Sequence, residues 1–177
     1  MDELARLGGV SKKTLYKLFE DKENLALRAL ERFLNIQKAF AEKAEVESSN
    51  AIEAHKRAIQ NLSGMMREFS VHVTWELQKF YPRLWEVVEK FQKEFVAESI
   101  RRNLQRGIEE GLYEPDTDME LTPLFYVALV RGVLFADPRI VENYSFPHVL
   151  RQLIVYHLRA ITTAKGKQEL SNIFNQS

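Results

Sequence analysis

The 177-residue sequence has no cysteine. That excludes a disulfide framework, a thiol nucleophile and cysteine-held zinc or iron–sulfur clusters. Long apolar runs are missing as well. The longest, Leu124 to Val130, is closed by Arg131, far short of the ~20 residues that span a bilayer. The opening MDELARLGG holds two acids and no apolar stretch, so it does not read as a signal peptide. The expectation is a cytoplasmic protein with no membrane partner. Neither sign of charge is in excess, with 25 Lys and Arg against 25 Asp and Glu. A surface basic over its whole extent is thereby excluded, and any contact with nucleic acid must come from a local patch. Catalytic constellations are absent too. The four histidines, His55, His72, His148 and His157, form no i, i+3 or i, i+4 pair. No Glu-x-x-His, Gly-x-Ser-x-Gly, Walker-type loop or dinucleotide glycine pattern occurs, which points away from an enzyme, a metal site or a cofactor.

What remains is ordinary for a globular chain. Hydrophobic residues make up 45% and charged residues 28%, too apolar and too balanced for disorder. The length corresponds to about one domain able to bury a sizeable core. Glycine and proline are scarce, seven and five, and several mark boundaries, as in Gly8-Gly9, Gly111, Pro115 and Pro138. Between them the apolar spacing is 3 and 4, not 2. Leu25, Ala29, Phe33, Ile36 and Phe40 form one stripe. Leu84, Val88, Phe91 and Phe95 form another, and Leu150, Leu153, Ile154, His157, Leu158 and Ile161 a third. The pattern predicts an all-α protein with helices over 2–7, 12–18, 22–46, 48–68, 70–79, 82–111, 119–136 and 146–164, and a weaker one over 167–174. Ser11 and Asp21 are N-caps, and Pro82 and Pro147 suit first turns.

The N-terminal pair of short helices carries the most information. Leu4 and Leu7 face inward on the first, Gly8-Gly9-Val10 turns the chain, and Leu15, Leu18 and Phe19 are available for burial on the second. Two such helices joined by a glycine turn make a helix-turn-helix unit, whose second helix enters the major groove. Residues 11–17, SKKTLYK, carry three lysines and no acid. Lys12, Lys13 and Lys17 can neutralise phosphates, and the Thr14 and Tyr16 hydroxyls can bond to phosphates or base edges. Three lysines on charge alone also read as a solvated face. The free N–H groups that open the helix at Lys22 would point at the same phosphate backbone.

The run ELARLGGVSKKTLYKLFEDKENLALRAL resembles the TetR family of bacterial transcriptional regulators. Val10, Ser11, Thr14, Leu15, Tyr16, Phe19, Lys22, Glu23 and Leu25 match its motif position by position. The resemblance implies a helix-turn-helix DNA-binding domain over 1–24, lacking the family's first helix, and a ligand-binding and dimerisation domain over 25–177. It puts Lys13, Thr14, Tyr16, Lys17 and Lys22 at DNA, with Tyr16 and Lys22 on phosphates. The implied function is a ligand-responsive regulator, a repressor in most members, that binds a double-stranded operator as a homodimer and answers to a small apolar or amphipathic effector. Because the family's first helix has no counterpart before Met1, weak operator binding by this chain is expected. The alternative function is a helical ligand-binding or dimerisation protein without DNA binding.

Residues 62–95 are rich in bulky side chains, and by the same resemblance some of them line an effector cavity. The candidates are Met65, Phe69, His72, Trp75, Tyr81 and Phe95, with Phe125 and Tyr126 from further on. His72, Trp75 and Tyr81 carry polar handles that need partners if buried. An aromatic stripe at helical spacing also reads simply as core. Residues 124–136, LFYVALVRGVLFA, hold one charge. A helix apolar on every side is buried on every side, so a second copy of the chain is the expected cover. The candidate interface is Leu124, Val127, Val130, Gly132 and Leu134, with Leu150, Leu153, Ile154, His157, Leu158 and Ile161 from the 146–164 helix, the pair that by resemblance forms a four-helix dimer contact.

Overall fold

The computed structural model describes residues 1–65, 71–135 and 143–175, with the backbone alone at 71–75, 133–135, 146, 173 and 175. The helices follow the apolar periodicity. Two short ones, α1 (Asp2–Leu7) and α2 (Lys12–Leu18), precede the long α3 (Lys22–Glu47). Then come α4 (Ala51–Met65), α5 (Val71–Phe80), α6 (Pro82–Phe91), α7 (Ala97–Glu109), α8 (Leu121–Phe135), α9 (Phe146–Ile161) and α10 (Ala164–Asn175). A π-helical turn, Gln92–Val96, joins α6 to α7 without a break. Among the described residues the one β feature is an isolated bridge between Tyr113 and Thr162. That bridge lies where α9 stops at Ile161, short of the expected 164, so the chain can turn into α10.

Local chemistry sets the helix ends. The Ser11 hydroxyl accepts the Thr14 N–H at 3.0 Å, and the Asp21 carboxylate accepts the Asn24 N–H at 2.7 Å. Each thereby satisfies a donor that the first helical turn leaves open. The turn between α1 and α2 needs Gly9 at φ +63°, a left-handed conformation that side chains resist.

The core lies where α4, α7, α8, α9 and α10 meet, around Ile52, Ile100, Leu104, Tyr126, Leu153, Ile154, Leu158 and Phe174. α3 packs chiefly on α4. Its 26 residues extend about 39 Å at 1.5 Å per residue, so one helix connects the N-terminal pair with the bundle. Arg106 fastens the bundle end of α3. Its guanidinium donates to the Glu45 carbonyl at 2.7 Å, the Ser48 carbonyl at 2.8 Å and the Glu110 carboxylate at 2.7 Å. The other Glu110 oxygen accepts the Ala51 N–H at 2.8 Å, so one ion pair closes the last turn of α3 and the first of α4.

α8 corrects one expectation about burial. Pro123, Tyr126 and Val127 face inward, whereas Leu121, Leu124, Phe125, Ala128 and Gly132 form an outer stripe exposed in the single chain. The correction is larger for α9. Leu150, Leu153, Ile154, His157, Leu158 and Ile161 are all buried inside their own subunit. They have no surface left for a second copy, because their stripe packs on α4 and α8.

Candidate DNA-reading helix and ligand cavity

The basic segment folds so that its lysines share one side. At 100° per residue, Lys12, Lys13, Tyr16 and Lys17 fall within an arc of about 140° on α2, away from the buried Leu15. Lys13, Tyr16, Lys17 and Lys22 are exposed. Lys12 is exposed but engaged, its ammonium 3.0 Å from the Asp2 carboxylate. That pairing lowers the Asp2 pKa and raises that of Lys12, through their hydrogen bond first and their charges second. The Thr14 hydroxyl lies 2.8 Å from that of Ser11, so Thr14 helps cap the helix as well as facing solvent. Lys22 stands in the first turn of α3, beside the Asp21 cap.

The second feature is a cavity of about 580 Å³ lined by residues of the helices from α3 to α9 and of the π turn. α3 contributes the row Ala26, Ala29, Leu30, Phe33, Leu34, Gln37 and Ala41, spaced at three and four residues so that one face lines the space. The π turn brings Gln92, Phe95 and Val96 to the wall between Phe91 and Ser99. Its extra residue per turn widens the stripe a regular helix would present.

Of the expected wall residues, Met65, Phe95 and Tyr126 line the cavity. Phe125 does not. It is 65% exposed on the outer stripe of α8, one residue and a 100° turn from the buried Tyr126. Tyr81 is half-buried at the N-cap of α6, off the wall. Phe69 lies outside the described residues, as do the side chains of His72, Trp75 and Leu134. Val127, Val130 and Leu150, read from the sequence as interface, are cavity wall.

Sequence reasoning missed His55 and Gln92 as lining residues, while Trp85, one of the bulky residues of 62–95, does line the cavity. The signal for Gln92 was a polar residue inside an apolar stripe. His55 carried no signal, because its setting is made by distant segments. Its ring stacks on that of His157 at 5.7 Å and meets Tyr126 edge-on at 5.3 Å. Burial pushes the His55 pKa down to about 3, with a smaller contribution from His157, and burial pushes His157 down to about 4. Both are neutral at pH 7. Burial also raises the Tyr126 hydroxyl above its ordinary value. Trp85 reaches outward from the wall. Its indole bonds to the Glu89 carboxylate, which accepts from Arg131 of α8 at 2.7 Å, and the Arg131 guanidinium carbon stands 5.7 Å from the Trp85 ring centre. Arg131 is the first cause of the lowered Glu89 pKa.

Among the described residues no cluster of three His, Cys, Asp or Glu could hold a metal, and no helix is long and apolar enough to cross a membrane.

No protein-family model matches the chain. An uncharacterised HTH-type transcriptional regulator, YvaF of Bacillus subtilis strain 168, is 30% identical over 95 residues. The match takes in 53% of this chain and 50% of that protein, so the chain spans about half the length of this curated relative. Solved structures agree over far more of the fold. The fatty acid degradation regulator FadR of Bacillus halodurans superposes with a TM-score of 0.70 at 16% identity, covering 89% of this chain and 82% of that one. NemR of E. coli, in its reduced form, gives 0.66 at 18% identity over 92% and 86%. The ketosteroid transcriptional regulator KstR2 of Mycobacterium tuberculosis gives 0.58 at 20% identity over 92% and 84%. YvaF, FadR and KstR2 are described as regulators. The likeness to the three solved structures covers about nine tenths of the chain and shows the fold: the chain has the all-α fold of these proteins.

Proposed function

We propose that the protein is a dimeric, ligand-responsive transcriptional regulator, acting as a repressor. The observation that carries this reading is one helix with two duties. α3 lines the apolar cavity along its length, and its N-terminus follows directly on the lysine-bearing α2. A ligand that prefers one setting of α3 would shift the population of dimers whose two α2 helices fit successive major grooves. It would act only through its difference in affinity between the two settings.

In this reading Lys13, Tyr16, Lys17 and Lys22 hold the operator, with Thr14 near base edges. Lys12 joins them by exchanging the exposed Asp2 for a phosphate. The dimer forms on the outer faces of α8 and α9. Leu121, Leu124, Phe125, Ala128 and Gly132 supply an apolar stripe on the first, and exposed Tyr156 with the half-buried Val155 supplies the second. An apolar stripe of that length on a chain with balanced charge fits self-association. Two of the structural neighbours are a fatty acid degradation regulator and a ketosteroid transcriptional regulator, and both descriptions agree with a large apolar cavity as an effector site.

The test is binding of the purified chain to the DNA upstream of its own gene, by gel shift and fluorescence anisotropy, with and without an apolar effector panel. Sequence-specific binding released by a cavity ligand supports the regulator. A dimer that binds ligand but shows only salt-sensitive, sequence-independent DNA contact supports the alternative, a ligand-binding protein without an operator.

A further inference from the structure

α3 and the continuous run of α6, the π turn and α7 lie side by side along the cavity, in a register that three pairings fix. Leu27 and Arg83 border one small cleft at the end nearest α2. Midway, the Lys38 ammonium stands 5.6 Å from the centre of the Phe95 ring. At the far end Arg102 holds Glu45 at 3.2 Å. Leu27 to Lys38 is eleven steps and Arg83 to Phe95 is twelve, the second count taking in most of the π turn, which inserts one residue. Lys38 to Glu45 and Phe95 to Arg102 are seven steps each. The two helical runs therefore keep pace as parallel walls.

Lining residues mark the length of the cavity on both walls. On α3 they run from Ala26 to Glu45, and on the facing run from Leu84 to Asn103. Each stretch is nineteen steps, or about 28 Å at 1.5 Å per residue. The volume of about 580 Å³ spread over that length leaves a mean section of about 20 Å². One extended hydrocarbon chain has about that section, and a fused ring system is broader. The trench reaches the surface beside α3, where the lining residues Ala29 and Phe40 are exposed. Its chemistry changes along its length. Ala26, Ala29, Leu30 and Leu84 are apolar at the end nearest α2, whereas Glu45, Ser99 and Asn103 stand at the other.

We infer that the cavity takes a ligand with one long unbranched hydrocarbon chain, its apolar end against Ala26 and Leu84. This rests on the reading of the cavity as an effector site. Carbon–carbon bonds of about 1.5 Å at a tetrahedral angle advance about 1.25 Å per carbon, so a chain of about 16–20 carbons extends ~20–25 Å and lies within the walls. Each methylene that enters leaves water for an apolar wall, so affinity grows with chain length until the trench is full. A fused-ring molecule of the same carbon count is too short for the length and too broad for the section.

The experiment uses the full chain with the even-numbered primary alkanols from octan-1-ol to eicosan-1-ol, and with androstan-3-ol, a fused-ring alcohol close to octadecan-1-ol in carbon count. Thermal shift and titration calorimetry read the binding, each probe being delivered from cyclodextrin. Affinity is expected to rise at least about twofold per methylene as far as hexadecan-1-ol and to level off by eicosan-1-ol, with octadecan-1-ol at least about tenfold tighter than androstan-3-ol. Ala26→Phe, which fills the end nearest α2, is expected to lower the plateau by about four carbons while leaving dodecan-1-ol unchanged, and Ala26→Leu to lower it by about two. The unmodified protein settles the chain preference even if Ala26→Phe folds poorly. A plateau reached before hexadecan-1-ol, or androstan-3-ol binding as tightly as octadecan-1-ol, would overturn the single-chain ligand while leaving an effector cavity in place. An unmoved plateau in the folded Ala26 variants would overturn the placing of the apolar end. If no probe binds, both the effector reading and this inference fall.

Discussion

Arg106 is the side chain on which the joint between α3 and the bundle depends. Replacing it with alanine removes three charge-assisted bonds, to the Glu45 and Ser48 carbonyls and to the Glu110 carboxylate. Bonds from a charged donor contribute ~1.5–3 kcal/mol each. The pair with Glu110 is partly exposed, 27% on each side chain, and is worth about 0.5 kcal/mol. The two carbonyls close the end of α3, where water can partly replace the lost donors. Taking the low end for both and discounting for that access leaves a loss of about 2–3 kcal/mol. For a chain of this size each kcal/mol moves the melting temperature by ~2–4 °C, so Arg106→Ala should melt about 4–12 °C lower. Arg106→Lys should recover less than half of that, because one ammonium cannot serve three acceptors in a fixed fork. Circular dichroism melts with a double-mutant cycle to Glu110→Gln measure both points. A shift under 2 °C for Arg106→Ala, with no coupling to Glu110, would show that these bonds form without holding anything together.

Other outcomes follow from the same structure. His55 and His157 are held neutral, with pKa values near 3 and 4 against 6.5 when unfolded. The unfolded chain therefore takes up protons first, and stability, complete above about pH 6.5, should fall by about 2 kcal/mol between pH 7 and 5.5. Urea midpoints flat across that window would refute their burial. Phe125→Asp should yield a folded monomer in sedimentation, whereas Leu153→Asp should unfold the subunit. Both variants dissociating without unfolding would restore the interface read from the sequence. Charge reversal at Lys13 or Lys22 should weaken operator binding and lower its salt slope by about one unit, and unchanged binding in both would remove α2 from the contact. Gly107→Ala would drive a methyl into the Tyr113 ring, and thermal melts should report a loss of about 1–3 kcal/mol or more.

Much of the fold was legible because its signals are local. Ser11 and Asp21 cap the helices they were expected to cap, and the 3-and-4 spacing located each helix to within a few residues. The motif from Val10 to Leu25 specified the N-terminal pair for the same reason, since its matches lie within sixteen consecutive positions. The cavity was legible only in part. Met65, Phe95 and Tyr126 stood out by size, but a wall also consists of what leaves space. Ala26, Ala29, Ala54 and Ala58 line the cavity because they are small, and nothing in a sequence separates an alanine beside a void from one under a neighbouring helix. The π turn at Gln92–Val96 had no signal of its own.

The misplaced interface shows where periodicity stops being informative. A hydrophobic stripe states that a face is buried, but not whether the cover belongs to the same subunit or to another. For α9 the apolar stripe was real, and the error lay in its partner: α4 and α8 already cover it. α8 presents the opposite difficulty. Apolar residues occur on every side of it, so the pattern has no phase, and two opposed faces were equally eligible to turn inward. Neighbouring helices decide the matter. Tyr126 packs against His55 and His157, two residues far apart in the chain, and that fixes the rotation which leaves Leu124 and Phe125 outside. The same rotation aims Val127 and Val130 at the cavity and Arg131 at Glu89. Anything that turns α8 by a fraction of a residue therefore moves the cavity wall and the outer stripe together, which makes this helix, rather than the cavity alone, the element through which a ligand and a second subunit would sense each other.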